Sequence, residues 1–313
     1  MARAMGARSR LAAAFETTYG TAPASGYTRL PFGPPLSLSA EQPLVDSELL
    51  GYGRDPLAPI RDAVTVGGQL NVPMDLEGFG FWLKAALGAP ETTGTDPWTH
   101  TFTSGRWELP SLALEVASPE VPQFALYSGC VVDTLSWTMQ RSGNLLASVA
   151  LVAQGETVAA TAQVGTPAEF DVRRAGHFQG SILRNGAPLA NVTEAEITYA
   201  NGVDRIETIR GDGLIDGADP GMASLRGRIR ARFADTVLVD QALAGDACDL
   251  QFTYAMAGGL GLTFTAHRVF LPRPRREISG PQGIQLDFDW QAAQQAGGGP
   301  MLTAVLVNAR EGY

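Results

Sequence analysis

Two aspartates, Asp287 and Asp289, are the side chains best spaced for acid–base chemistry. They lie two residues apart in a stretch that alternates apolar and polar residues from Ile284 to Trp290. Residues i and i+2 of a β-strand share one face, so both carboxylates could act together as general acid and base, for example on a carbohydrate. Charges on a solvated sheet face, or charges paired at an interface, produce the same pattern, and we favour that second interpretation.

Four arginines with the same spacing form a second candidate site, and they are Arg226, Arg228, Arg230 and Arg232. On a strand they would make a row of guanidinium groups on one face. Such a row could contact phosphate groups, or it could pair with carboxylates of a neighbouring subunit. The chain has 23 basic and 32 acidic residues, a net charge of -9. Because this charge repels nucleic acid, we favour the subunit contact.

The remaining residues that could hold a metal or act as nucleophiles have no supporting pattern. They are His100, His177, His267, Cys130, Cys248 and the loop aspartates Asp212, Asp216 and Asp219. The histidines and cysteines lack metal-ligand spacing, and the aspartate loop lacks the terminal glutamate of a calcium-binding EF-hand. We therefore predict no catalytic residue, no metal and no cofactor.

The elements that position these residues are predicted to be β-strands. The 313 residues could form one large domain or two ordinary ones, and 36 glycines with 20 prolines leave little sequence for long helices. Period-2 alternation predicts half-buried strands of an antiparallel sheet. It is found at residues 111–116, 134–139, 251–256, 262–267 and 284–290.

Two segments instead have the spacing of short amphipathic helices. Leu76–Leu87 follows Asp75, a candidate N-cap, and precedes Gly88. The second helix is predicted after Asp235 and before Gly245. We therefore expect one flanking helix in each half of the chain.

A weak internal repeat relates the two halves. Glu48 and Gly68 correspond to Glu207 and Gly227 at one offset, and the pair Ser128-Gly129 corresponds to Ser279-Gly280 at a slightly shorter one. The repeat predicts a first domain over residues 1–156, a linker over 157–176 and a second domain over 177–313. We expect the first domain to begin with an N-terminal arm. Chance similarity of two β-rich halves remains the alternative.

Several segments, in their order along the chain, resemble tail tube proteins of long, non-contractile-tailed (siphovirus-type) bacteriophages. They are Ala14–Pro23, Leu49–Pro56, Ala63–Gly68, Phe79–Lys84, Pro97–Phe102, Leu109–Leu112 and Tyr127–Cys130. The resemblance covers roughly residues 14–155, and it extends to the second half only through the repeat.

The resemblance implies a mainly β protein made of two tandem β-sandwich or barrel-like tube domains, each with one flanking α-helix. It also implies a structural virion protein without enzymatic activity. Copies would close into rings, and the rings would stack into a conduit for viral DNA. Two tube domains in each chain imply a trimer with pseudo-six-fold symmetry.

The resemblance further implies partners and a location. The chain would contact itself within and between rings, and would meet other tail proteins such as a terminator and a distal tail ring. The tape measure protein would occupy the lumen before ejection, and viral DNA would pass through without specific binding. We expect assembly in the bacterial host cytoplasm and a final place in the virion.

Ring contacts are expected at two long loops, Pro43–Arg61 and Val203–Ala223, because they are rich in Gly, Pro and Asp and occupy matching places in the two halves. Their charged residues are Arg54, Asp55 and Arg61 in the first loop and Arg210, Asp212 and Asp216 in the second. Arg226, Arg228, Arg230, Arg232, Asp287 and Asp289 complete the predicted interface set.

Two alternatives remain from sequence. One is a tail terminator or distal tail ring protein, which would form a ring without polymerising. The other is a carbohydrate-binding or carbohydrate-acting β-sandwich of the tail that uses Asp287 and Asp289.

Overall fold

The computed structural model describes residues 3–275 and 283–313. Within these ranges the chain forms 23 β-strands and two α-helices, with three short 3-10 turns at Gly6–Arg8, His177–Gln179 and Ala257–Gly259. The prediction of a mainly β protein is therefore confirmed. The pair Ser279-Gly280, used above as a landmark of the repeat, lies outside the described residues.

The first 160 residues contain thirteen strands and helix α1. The strands are β1 Arg10–Phe15, β2 Thr28–Leu30, β3 Gly33–Leu36, β4 Ser39–Glu41, β5 Leu44–Val45, β6 Ile60–Arg61, β7 Thr65–Pro73, β8 Glu91–Gly94, β9 Trp98–Thr103, β10 Leu112–Ser118, β11 Gln123–Gln140, β12 Leu146–Ala153 and β13 Gly155–Ala159. Helix α1 is Phe79–Leu87.

The rest of the described chain contains ten strands and helix α2. The strands are β14 Gly180–Arg184, β15 Ala187–Pro188, β16 Val192–Ala200, β17 Asp204–Ile206, β18 Gly217–Asp219, β19 Ser224–Arg232, β20 Cys248–Ala255, β21 Gly261–Phe270, β22 Gln285–Ala292 and β23 Leu302–Asn308. Helix α2 is Val237–Ala244. All five strands predicted from alternation lie within β10, β11, β20, β21 or β22, to within a residue or two of their ends.

The strands form two large antiparallel sheets. The first sheet has the order β7-β12-β11-β16-β19-β22, with β3 and β4 on the outer edge of β7. The second has the order β8-β9-β23-β21-β20-β14-β15. They join where β21 pairs with the end of β22. A third group has the order β2-β1-β10-β11-β13 and is built on the N-terminal half of β11.

The first two sheets pack face to face as a sandwich. The ring centroids of Trp137 in the first sheet and Phe264 in the second are 4.2 Å apart. The rings of Phe252 and Trp290 stack with their centroids 6.0 Å apart. These inward side chains alternate with outward polar ones, as expected for strands with one buried face. The sandwich therefore leaves the opposite face of the first sheet open.

Helix α1 lies inside this core. Its side chains are buried except for that of Lys84, and the Phe79 ring packs edge-on against Phe264 at 6.5 Å. The helix begins three residues later than predicted. The Asp75 carboxylate accepts hydrogen bonds from the backbone N–H groups of Glu77 and Gly78 and so holds a turn before the first helical residue. Helix α2 follows Asp235 and ends at Gly245, as predicted.

Strands from the two halves of the sequence share both sheets. Strand β11 pairs with β16 over Thr134–Gln140, and β9 pairs with β23. The segment 157–176 also contacts the first half, because the backbone of Ala168 bonds with those of Tyr27 and Arg29. The order strand, helix, hairpin occurs twice, as β7-α1-β8-β9 and as β19-α2-β20-β21. The last strand of each half is paired differently, because β12 pairs with β7 and β11, whereas β23 pairs with β9 and β21. The division into two tandem domains stays a prediction.

Candidate assembly surfaces

The arginine row and the aspartate pair lie on neighbouring strands. In the register of β19 and β22, Arg228 is opposite Asp289 and Arg230 is opposite Asp287. On its other side, β19 pairs with β16, which places Glu194 opposite Arg230. The sequence indicated each row separately, but not that the two rows face each other within one sheet.

Close ion pairs join these rows. Arg228 Nε donates to Asp289 Oδ1 at 2.9 Å, and Arg230 Nε donates to Asp287 Oδ1 at 2.8 Å. Arg230 also reaches Glu194 Oε2 with its Nη1 atom at 2.7 Å. The hydrogen bonds to the two aspartates raise the pKa values of Arg228 and Arg230. The geometry thus favours paired surface charges over an acid–base pair, and the role of these residues between subunits stays a prediction.

The open face of the first sheet, which we call the polar face, continues this pattern across six strands. One cross-strand row contains Asn71, Ser148, Ser136, Thr198, Arg226 and Gln291. Eight charged residues of this face lie on β16, β19 and β22, and they are Glu194, Glu196, Asp287, Asp289, Arg226, Arg228, Arg230 and Arg232. Four carboxylates balance four guanidinium groups, so these three strands add no net charge to the polar face.

Both predicted contact loops leave the first sheet at the same end. The loop containing Pro43–Arg61 connects β4 to the start of β7, and the loop containing Val203–Ala223 connects the end of β16 to the start of β19. Because the strands are antiparallel, the start of β7, the end of β16 and the start of β19 coincide along the sheet. We call this the loop end.

The first loop is a hairpin with an exposed apolar tip. Strands β5 and β6 form a two-stranded stem, closed by a backbone bond between Asp62 and Pro43. Beyond the stem, Leu49, Leu50 and Tyr52 are exposed, Leu50 to 93%. The predicted residues Arg54 and Asp55 lie in this exposed tip and Arg61 lies in the stem. Exposed apolar clusters of this kind mark interaction sites.

Ion pairs within the second loop stabilise its conformation. Arg210 donates to Asp212 at 2.7 Å and to Asp216 at 2.9 Å, so three predicted interface residues form one intrachain cluster. The hydrogen bond from Arg210 lowers the pKa of Asp212. The backbone N–H of Val64 donates to the Gly213 carbonyl at 3.0 Å, which joins this loop to the base of the first.

A comparison with protein families shows the family to which this chain belongs. The model of the phage tail tube protein family matches residues 6–292. The chain belongs to the phage tail tube protein family. No curated protein matches the chain.

Family membership makes this tail tube protein a structural component of the virion that assembles with copies of itself and with other tail proteins. No helix among the described residues is long and apolar enough to cross a membrane. The description as a tail tube protein agrees with the resemblance found in the sequence.

The three histidines of this tail tube protein take structural roles. His100 is fully buried, with Nε2 2.8 Å from the Arg310 carbonyl and Nδ1 2.9 Å from the Thr92 hydroxyl. His177 bonds to the Asn144 carbonyl, and His267 to the Thr303 hydroxyl. In the part of the chain that the structure describes, no three acidic, histidine or cysteine residues cluster as metal ligands would.

A groove at the opposite end of the first sheet had no sequence signal. It lies where β11 ends and β16 begins, and it has a volume of about 700 Å³. Its walls include Met139, Phe178, Ile182 and Leu189. Phe178 is 84% exposed. It belongs to a 3-10 turn without periodicity, so its exposure could not be predicted. We call this end of the first sheet, where β11 ends and β16 begins, the groove end.

Proposed function

We propose that this chain is the major tail tube subunit of a phage with a long, non-contractile tail, and that its copies form stacked rings around a DNA conduit. The polar face is the observation that supports a DNA conduit. A surface along which DNA slides needs hydration without net positive charge, because each phosphate neutralised by a protein cation adds affinity that would retain the DNA. The polar face spans six strands, and the charges that β16, β19 and β22 bring to it cancel.

The ion pairs on the polar face support this role. Arg228 and Arg230 are held by carboxylates of the same chain, so DNA phosphates would have to displace those carboxylates before binding. The net charge of -9 acts in the same direction at longer range. We propose that the polar face lines the lumen, in contact first with the tape measure protein and then with passing DNA.

We further propose that three chains form each ring with pseudo-six-fold symmetry, as the predicted repeat implies. The ends of the tube would meet a terminator and a distal tail ring protein. Assembly would take place in the cytoplasm of the bacterial host.

Electron microscopy of the purified protein tests this proposal. The expected result is hollow tubes of stacked rings, with three chains in each ring. A protein that stays monomeric at high concentration would contradict the proposal, and rings that never stack would favour a terminator or distal ring protein. The number of copies in a virion separates these cases, because a tube protein fills many rings.

The DNA conduit has its own test. Replacing Asp287 and Asp289 with asparagine removes two negative charges and leaves the charged residues of β16, β19 and β22 with a net charge of +2. We expect assembled tubes of this variant to bind double-stranded DNA in low salt, whereas wild-type tubes do not. Equal DNA retention by both kinds of tube would contradict a lumen lined by the polar face.

A further inference from the structure

The apolar tip of the first loop lacks a binding surface within its own chain. Leu49, Leu50 and Tyr52 are exposed by 67%, 93% and 69%. The stem that carries them is held by its own β5–β6 pairing and by the bond between Gln42 and the Asp62 carbonyl. The tip is thus an apolar cluster presented on a defined stem.

The groove end offers a complementary apolar surface. Phe178, Ile182 of β14 and Leu189, which directly follows β15, line the groove together with Met139 at the end of β11. A volume of about 700 Å³ is enough for several side chains of a hairpin tip.

The tip and the groove lie at opposite ends of one rigid sheet. Strand β7 starts at the loop end with Thr65, and its last residue, Pro73, pairs with Leu146 just after the turn that contains Arg141. Nine residues of strand span about 30 Å. The tip therefore cannot fold back into the groove of its own chain.

The charges around the two surfaces are opposite. Residues 44–61, which include both stem strands, contain three carboxylates, Asp46, Glu48 and Asp55, and two cations, Arg54 and Arg61, which gives the hairpin a net charge of -1. Arg141 on the groove wall is exposed, and no carboxylate of the described residues lies within ion-pairing distance of it. Glu194, the acidic residue of the groove, is already paired with Arg230.

We propose that the groove end of one copy receives the hairpin tip of a second copy, with Arg141 facing the acidic hairpin. A projection at one end and its receptor at the other make a head-to-tail contact, which repeats without closing and generates an open-ended stack. This inference rests on the proposed tube function and names the surface by which one ring holds the next.

Site-directed cross-linking tests the contact. Leu50→Cys and Ser181→Cys place one thiol on the tip and one at the groove, both at exposed positions. The native Cys130 and Cys248 are buried. A short bis-maleimide reagent should convert assembled tubes of the double variant into a ladder of covalent multimers on a denaturing gel.

The matched control is Leu50→Cys with Leu243→Cys, because Leu243 is also exposed but lies on helix α2, away from the groove. This control and each single variant should give no ladder. Two results would overturn the groove contact in a protein whose wild type forms tubes. One is the absence of a ladder from the Leu50/Ser181 variant, and the other is ladders of equal strength from both double variants. If the wild-type protein forms no tubes, the proposed function itself fails.

A second measurement does not depend on cross-linking. Phe178→Ser and Arg141→Glu should each raise the concentration needed for stacking by about tenfold, since a contact residue that matters contributes more than about 1 kcal/mol. Leu243→Ser should leave that concentration unchanged. Circular dichroism would verify that each variant keeps the wild-type fold. Folded variants that stack like the wild type would contradict the proposal.

Discussion

Helices α1 and α2 each follow a long strand of the first sheet, β7 and β19, yet they have different structural roles. Both come after an aspartate and end at a glycine with positive φ, Gly88 and Gly245. Helix α1 is buried almost entirely, whereas α2 buries only Leu238 and Ala242. A helix that is apolar on every side must be enclosed, and one with a single apolar stripe remains on the surface. The comparison shows that the core depends on the first half's helix.

Truncation of matched leucines on the two helices should give the largest difference. Leu83→Ala removes a fully buried side chain of α1 and should lower the free energy of unfolding by about 2–5 kcal/mol. Leu243→Ala, at an exposed position of α2, should change it by about 0.5 kcal/mol or less. Urea unfolding measures both, and equal losses would contradict the different roles of the helices.

The aspartates before the two helices should differ in their response to pH. Burial raises the pKa of Asp75 from 3.8 to about 6, so the folded protein binds more protons than the unfolded chain between these values. The free energy of unfolding should therefore fall as pH rises from about 4 to about 6, by up to about 3 kcal/mol. Asp75→Asn should remove this dependence.

Asp235→Asn is the matched control, because Asp235 is exposed before α2 and its carboxylate accepts one backbone N–H, that of Val237. This variant should keep the wild-type dependence on pH. Urea unfolding at several pH values measures all three proteins. An Asp75→Asn protein with an unchanged dependence would show that other groups produce it.

A smaller effect is expected from Gly80 of α1. A β-carbon at this position would lie 2.3 Å from Cζ of the Tyr313 ring, so Gly80→Ala should cost about 1–3 kcal/mol by overpacking. Alanine is otherwise the better helix former. A Gly80→Ala protein with an increased melting temperature would mean that Tyr313 can move away without loss.

Local sequence patterns were sufficient to predict the main strands and both helices. Alternation predicted the strands around Leu135 and Phe288, and the aspartate and glycine signals predicted both helices. The predicted start of α1 was three residues too early, because the Asp75 side chain accepts hydrogen bonds from the turn that precedes the helix. Such competition between a side chain and the backbone depends on burial, which the local sequence does not specify.

The candidate surfaces were predictable only in part. The arginine row and the aspartate pair were recognised by their spacing, but the ion pair of Arg228 with Asp289 joins residues of separate strands. The groove around Phe178 had no signal, because its walls come from segments far apart in the sequence.

The sequence by itself determined the mainly β class, the strand faces, the two helices and the acidic charge, because each depends on neighbouring residues or on composition. Tertiary structure alone decided that strands of both halves share the sheets, that the charges of β16, β19 and β22 pair and cancel on the polar face, and that an apolar tip and an apolar groove lie at opposite ends. These properties depend on strand register and order, which are set by packing between distant segments.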